Sequence, residues 1–246
     1  MLLRWSEIYS NTEILSPIDR DTWRVIAETC NLNASSRAIE LASGKGAFAN
    51  YLAENFQCGV DAFEINTEFV DYSNKRADEL GLKPKVRFKE ADINNLEVMG
   101  SAYDLGACLG AMYFFREKGW KVLLRATKPR GYLAVSETVC KKVPPPKELA
   151  EFFFEGTGTF LTLEDARKWY ETREVEILRL ETCSTEAWLK FYDLTRENLS
   201  KLSTSQPSNT QLQSEIGEFL REDRLFRKYG LEYVEYLTFI MQKAHP

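Results

Sequence analysis

Histidine is nearly missing from this chain: 246 residues contain one, His245, beside the C-terminal proline, where chain ends commonly fray. Nucleophilic pairs that need an imidazole base, Ser–His or Cys–His, therefore have no base to use within a folded body. Zinc sites built on histidine are not expected either. Cysteine is sparse and scattered, at Cys30, Cys58, Cys108, Cys140 and Cys183, with no Cys-x-x-Cys pair. That pattern suits small buried apolar residues in a reducing cytoplasm, not a disulfide frame or a metal cage. Positive charge is not in excess, since 32 Lys and Arg face 37 Asp and Glu for a net charge of −5. A nucleic-acid partner, which calls for a basic face, is not expected. Long apolar runs are lacking too: the longest uncharged apolar-rich run, Leu105–Phe115, has eleven residues, about half of what a bilayer span requires. Charges at Arg4 and Glu7 interrupt the N-terminus too early for a secretory segment. The expectation is a cytoplasmic protein with no membrane partner.

What is present is an ordinary globular composition, 44% hydrophobic and 28% charged. From residue 37 short apolar runs alternate with helical patterns. Arg37–Leu41 reads as a first strand ending in the small-residue turn Ala42-Ser43-Gly44-Lys45-Gly46. A helix with Phe48, Leu52 and Phe56 on one face follows. Gly59–Ile65 is a second strand, Glu68–Leu80 a helix, Val86–Glu90 a third strand and Leu105–Leu109 a continuous apolar fourth. Trp120–Thr127 reads as a helix closed by Lys128-Pro129-Arg130-Gly131, and Tyr132–Glu137 as a fifth strand. Such alternation predicts βαβ units and a doubly wound α/β sheet. Beyond it, Lys147–Glu155 and Thr162–Thr172 are helical, the latter opened by a capping box at Thr162–Asp165. Glu174–Thr182 and Tyr233–Met241 read as two last strands, and 184–230 as a helical insertion between them that would cap a crevice.

Ligands of an open parallel sheet bind beyond the carboxyl ends of its strands, near the point where strand order reverses. The residues there are Glu40 with the turn Ala42–Gly46, Glu64 at the second strand, Asp92 after the third, Leu109-Gly110-Ala111 after the fourth and Glu137 at the fifth. Small residues in the turn let backbone N–H groups and a helix N-terminus approach a ligand. An acceptor-only carboxylate twenty residues past Gly44 suits a pair of ribose hydroxyls; Asp61 is an alternative to Glu64 for that role. Lys45 is expected to face solvent.

Taken jointly, the acid before the small-residue turn, the acid at the second strand, Ala91-Asp92 and Lys128-Pro129-x-Gly131 resemble the class I S-adenosylmethionine-dependent methyltransferases. The likeness is closest to uncharacterised bacterial and archaeal small-molecule methyltransferases, through Gly44-Lys45-Gly46, Cys108-Leu109-Gly110-Ala111, Phe160–Leu163 and Glu186-Ala187-Trp188. The resemblance implies a Rossmann-like seven-stranded sheet whose last strand is antiparallel. It implies an arm at 1–36, a cofactor-binding core at 37–183 completed by 231–246, and a cap at 184–230. It further implies that Glu40 and the backbone of Ala42, Ser43, Gly44 and Gly46 hold the methionine part of S-adenosylmethionine. Glu64 would take the ribose with Ile65 against the adenine, Asp92 and Ile93 the adenine edge, and Leu109, Gly110 and Ala111 the region of the sulfonium. The product would be S-adenosylhomocysteine, and the acceptor a small molecule. Ala42 departs from the family's usual glycine, which is tolerable where its φ stays negative.

In-line methyl transfer needs a base only if the acceptor carries a proton, and the candidates are Glu137 and Tyr113. Aromatic residues expected at the mouth are Tyr9, Tyr113–Phe115, Phe152–Phe154, Trp169 and Trp188. A nicotinamide-dependent oxidoreductase and a non-catalytic S-adenosylmethionine-binding protein are the alternatives; no Tyr-x-x-x-Lys pair or histidine donor supports the first.

Overall fold

The computed structural model describes residues 3–98, 100–155 and 159–244; His245 and the first two residues lie outside them. Seven strands form one sheet in the order β3-β2-β1-β4-β5-β7-β6. They are β1 (Arg37–Leu41), β2 (Gly59–Glu64), β3 (Val86–Glu90), β4 (Tyr103–Cys108), β5 (Thr127–Cys140), β6 (Val175–Thr182) and β7 (Val234–Lys243). Strands β1 to β5 pair in parallel, and β7 runs antiparallel between β5 and β6. Because β1 has β2 on one side and β4 on the other, the chain reverses its winding there. A crevice opens at the carboxyl ends of β1 and β4.

Both faces of the sheet are covered, as a parallel sheet requires. Alternation along the strands divides the core. Ala38, Val60, Leu105, Ala134 and Ile240 pack on one face with Trp23, Phe48, Leu52 and Val70. These last four come from α2 (Arg20–Thr29), α3 (Ala47–Phe56) and α4 (Thr67–Glu79). Ile39, Leu133, Val135 and Phe239 pack on the other face with Trp120, Leu123 and Tyr170, from α5 (Met112–Ala126) and α7 (Leu163–Glu171). A short α6 (Lys147–Phe153) leads into α7. The capping box holds: the Asp165 N–H donates to Thr162 Oγ1 at 3.1 Å and the Thr162 N–H to Asp165 Oδ2 at 3.1 Å.

Between β6 and β7 lie α8 (Thr185–Ser205) and α9 (Thr210–Leu225). Ahead of β1, α1 (Trp5–Ile8) joins them in a small separate core of Leu3, Ile8, Leu199, Leu212 and Ile216. The arm is fastened where Asn198 Nδ2 donates to the Ile8 carbonyl at 3.0 Å. Among the described residues no helix is long and apolar enough to cross a membrane.

Two boundaries differ from expectation for identifiable reasons. Helix α5 starts at Met112, not Trp120, and is broken at Arg116, whose φ of 31° is non-helical. The aromatic run Tyr113–Phe115 carries no 3.6-residue rhythm, so its half of the helix was invisible. Strand β5 starts at Thr127 rather than Tyr132: Tyr103 pairs with Thr127 and Leu105 with Tyr132. Lys128–Gly131 therefore forms a bulge within the strand, not a turn before it.

The central strand carries Gly106 under α5. A Cβ there would lie 2.7 Å from Thr127 Oγ1 and 3.2 Å from methyl carbons of both Leu123 and Leu133. Gly106→Ala is expected to cost about 1–3 kcal/mol by overpacking, read as a lower urea midpoint with unchanged slope.

Candidate active site

Strand β1 ends in the turn Ala42–Gly46, and the turn is held from three sides. The Ser43 N–H donates to the Phe63 carbonyl at 3.1 Å, and the Gly46 N–H returns to Ser43 at 2.9 Å. The Gly44 N–H donates to Glu64 Oε2 at 2.9 Å. Glu64 also accepts from the N–H groups of Ile65 and Asn66, both at 3.0 Å. It thereby uses three of about four lone-pair sites. Gly46, at a φ of 72°, lies against Phe88: a Cβ there would stand 2.4 Å from the ring.

Ala42 has a φ of 54°, so the condition under which a methyl is harmless there is not met. The left-handed region costs an alanine about 1–2 kcal/mol. Ala42→Gly is expected to stabilise the protein by about 1 kcal/mol, which for a chain of this length raises the melting temperature by about 2–4 °C.

Glu40 is 4% exposed, and its Oε2 has no hydrogen-bond partner among the described residues. Burial raises its pKa to about 8; the Ala49 N–H opposes the shift and the nearby Glu64 charge adds to it. Ser43 Oγ is likewise buried without a partner among the described residues. Both line a cleft of about 50 Å³ with Ala42, Gly44, Phe48, Leu109 and arm residues 13–16.

The arm is the roof of this cleft. Leu15 lies over Gly44 and Ser16 over Gly110, so close that a Cβ on either glycine would meet them at 2.8 and 2.9 Å. Lys45 corrects the expectation of a solvent-facing side chain: it is 5% exposed. Its ammonium donates to the carbonyls of Tyr9 at 2.5 Å and Thr12 at 2.9 Å and sits 4.8 Å over the Tyr72 ring. Burial lowers its pKa, with the Glu13 charge opposing. Ser16 and Tyr236, whose hydroxyl lies 3.2 Å from the Cβ position of Gly110, carried no motif. Only the two-residue alternation of β7 could have shown that Tyr236 shares a face with Val234 and Ile240.

The other expected residues fall into two groups. Near the cleft, Glu64 and Glu90 pair across β2 and β3, and the Ala91 N–H donates to the Glu64 carbonyl at 2.8 Å, which sets Asp92 beside the end of β2. Asp92 caps the turn Ile93–Asn95, accepting the Asn94 N–H at 2.9 Å. Ile93 is buried and Ile65 is 61% exposed. Leu109 and Gly110 close the end of β4, and Ala111 is the N-cap of α5. Asp61 is committed elsewhere, to Arg37 at 2.8 Å and the Tyr103 hydroxyl at 2.9 Å.

Glu137 faces the α5–α7 layer. It is fully buried, and its Oε1 accepts from Arg116 Nη1 at 2.6 Å and from the Tyr170 hydroxyl at 2.5 Å. Burial raises its pKa, and the Arg116 charge and both hydrogen bonds oppose this. Trp169, expected at the mouth, also lies on that far layer, against Trp120 and Tyr170. Tyr113 is half-buried beside the exposed Phe114, with ring centroids 4.1 Å apart. Its phenol is shifted upward, first by burial and then by the charges of Glu222, Cys108 and Glu137.

An unpaired buried carboxylate, an unpaired buried hydroxyl and a small-residue turn meeting at the reversal of strand order fit a cationic amino-acid nucleoside. Fold and site together define a class I S-adenosylmethionine-dependent methyltransferase. The family described as "Methyltransferase domain" matches residues 32–224, and the chain belongs to it. It is similar to the uncharacterised protein YjhP of Escherichia coli K12, 21% identical over 185 residues and 74% of each chain. A solved S-adenosylmethionine-dependent methyltransferase of Geobacter sulfurreducens, in complex with S-adenosylhomocysteine, superposes with a TM-score of 0.86 at 18% identity over 97% of both chains. A phosphoethanolamine N-methyltransferase of Haemonchus contortus, with phosphomonomethylethanolamine and S-adenosylhomocysteine, superposes with a TM-score of 0.72 at 14% identity, over 98% of this chain and 56% of that one.

Proposed function

We propose that this methyltransferase moves the methyl group of S-adenosylmethionine to a small-molecule acceptor by in-line displacement, in the cytoplasm. In this reading residues 1–36 are an arm, 37–183 with 231–246 the cofactor-binding core, and 184–230 the cap. Bound S-adenosylmethionine supplies a methyl group on a sulfonium that leaves as a neutral thioether. Glu40 and the backbone of Ala42, Ser43, Gly44 and Gly46 hold its methionine part, with the Glu40 carboxylate facing the cationic amine. Glu64 takes the ribose, in preference to Asp61, which is already paired with Arg37 and Tyr103. Ile65 covers the adenine, Asp92 and Ile93 hold its edge, and Leu109–Ala111 line the sulfonium. Tyr113 touches the acceptor. Its phenol, shifted upward by burial, donates a hydrogen bond and does not act as a base. Glu137 acts through Arg116 on the position of Tyr113–Phe115, because its Oε1 is held by Arg116 and Tyr170.

The observation that carries the reading is the partnerless Oε2 of Glu40 in the cleft at the β1–β4 junction. A buried carboxylate of this kind is neutral until a cation arrives. Cofactor binding below pH 8 must therefore release a proton from Glu40, and affinity must rise toward pH 8 by up to about tenfold per pH unit. Calorimetry in buffers of differing ionisation enthalpy reads that proton directly, with NAD as the control ligand. Glu40→Gln should weaken binding and flatten its pH dependence. Glu64→Ala should weaken binding and keep a pH dependence, moved to lower pH because the Glu64 charge no longer adds to the rise at Glu40. PH-independent binding that ignores both substitutions would overturn the assignment. In the free protein the same shift opposes folding as pH rises from 4.5 toward about 8, since the unfolded carboxyl ionises first and the folded one holds its proton longer. Glu40→Gln removes that slope.

A further inference from the structure

Helix α9 ends in two adjacent carboxylates with opposite fates. Asp223 is 5% exposed and is held by two cations, Arg227 Nε at 2.7 Å and Arg196 Nη1 at 3.4 Å. Glu222, one residue earlier, makes no ion pair among the described residues. The Tyr192 hydroxyl donates to its Oε1 at 2.9 Å, and aromatic rings form much of the cleft around it. Tyr9, Phe191, Tyr192, Phe219 and Glu222 line one cleft of about 20 Å³ together with Arg196, whose guanidinium is taken up by Asp193 and Asp223. From there the rings run without a break to the methyl-transfer end of the cofactor cleft. Tyr192 stacks on Trp188 with centroids 5.7 Å apart, Trp188 meets Tyr236 edge-on at 5.6 Å, and the Tyr236 hydroxyl stands beside Gly110.

A carboxylate with no ion pair of its own, beside an arginine already held by two aspartates and framed by ring faces, is the chemistry that recognises an ammonium ion. A carboxylic acid acceptor would meet charge repulsion there, and a neutral alcohol would leave the charge uncompensated. Resting on the methyltransferase reading above, we propose that the acceptor is a small amine that enters protonated and is held by Glu222 within the rings of the arm and cap. Glu222 takes one N–H proton as the freed nitrogen pair forms the N–C bond and the departing sulfur keeps the C–S pair. It then passes that proton to water, and the N-methylated ammonium leaves. Burial, with the Asp223 charge adding and the Tyr192 hydrogen bond opposing, raises the pKa of Glu222, which suits a group that must receive a proton. The other titratable and charged side chains around it are Tyr9, Tyr113, Tyr192, Asp223 and Arg196.

The test uses the full chain saturated with S-adenosylhomocysteine and titrated with ethylammonium chloride, ethanol or sodium acetate, followed by calorimetry and tryptophan fluorescence. Ethylammonium alone should bind. Glu222→Gln, which keeps an acceptor for Tyr192 but no charge, should weaken it by tenfold or more without changing S-adenosylhomocysteine affinity. Glu222→Asp should restore part of the preference for the cation. A labelled-methyl screen of amines, alcohols, thiols and acids should then give turnover with amines only. Equal binding of ethanol or acetate, ethylammonium binding that survives Glu222→Gln, or methylation confined to a non-amine would each overturn the proposal. Failure of the wild-type protein to bind S-adenosylhomocysteine is a different result: it sinks the methyltransferase reading and this inference with it.

Discussion

The buried ammonium of Lys45 is the contact on which the site depends. A lysine charge taken out of water is costly unless its donors are met, and here two main-chain carbonyls of the arm and the face of Tyr72 meet them. Lys45 belongs to the turn that closes β1, so the same side chain that completes the turn draws residues 9–12 down onto it. Leu15 and Ser16 follow over Gly44 and Gly110. The arm, the turn and the end of β4 thus form one enclosure, although they lie far apart in sequence.

Across the molecule the carboxylates withdrawn from water divide by whether a cation answers them. Asp61 has Arg37, Glu137 has Arg116, and Asp223 has Arg196 and Arg227. These pairs fix strand edges, the broken start of α5 and the end of α9. Glu40, Glu64 and the half-buried Glu222 have none among the described residues, though three main-chain N–H groups answer Glu64. Burying an unanswered acid weakens the free protein, and in the proposed function Glu40 and Glu222 are where a bound cation recovers the lost energy. One stands at the β1 turn and the other in the cap, with Gly110, Tyr113 and Tyr236 between them. A sulfonium cofactor and an ammonium acceptor, each anchored at its own carboxylate, would meet in the middle.

Much of this was legible from residue types in order. Strand β1 and β3 fall where the apolar runs placed them, the capping box at Thr162 is intact, and Glu40, Ser43, Gly44 and Leu109 converge on one cleft because strand ends converge in any doubly wound sheet. What was not legible depends on long-range packing. The φ of Ala42 is set by the bonds that tie the turn to β2. The burial of Lys45 is set by an arm more than thirty residues upstream, and local sequence contains nothing that distinguishes it from a solvated lysine. Trp169 looked like a mouth residue by type, yet its helix packs on the opposite face. Glu222 sits in a polar helical stretch where its neighbour Asp223 is chemically almost the same. Only the placement of Arg196 and Arg227 tells the two apart.

Glu137 shows how the same reasoning reassigns a residue that position alone would nominate. The end of the fifth parallel strand borders the crevice, and in a protein with so little histidine an acid there is the natural base. Side chains of a strand alternate between faces, however, and Glu137 shares the face of Val135, Val139 and Tyr170 rather than that of Ala134 and Cys140. Freeing it would strand the Arg116 charge and the Tyr170 hydroxyl in an apolar layer, a cost of several kcal/mol by the usual penalty for breaking a buried pair. In the proposed function its role therefore runs through Arg116, which stands at the break of α5, two residues beyond Phe114 and three beyond Tyr113. A carboxylate that receives a proton from an acceptor needs no such rupture if it begins without a cation, and in the cap Glu222 does.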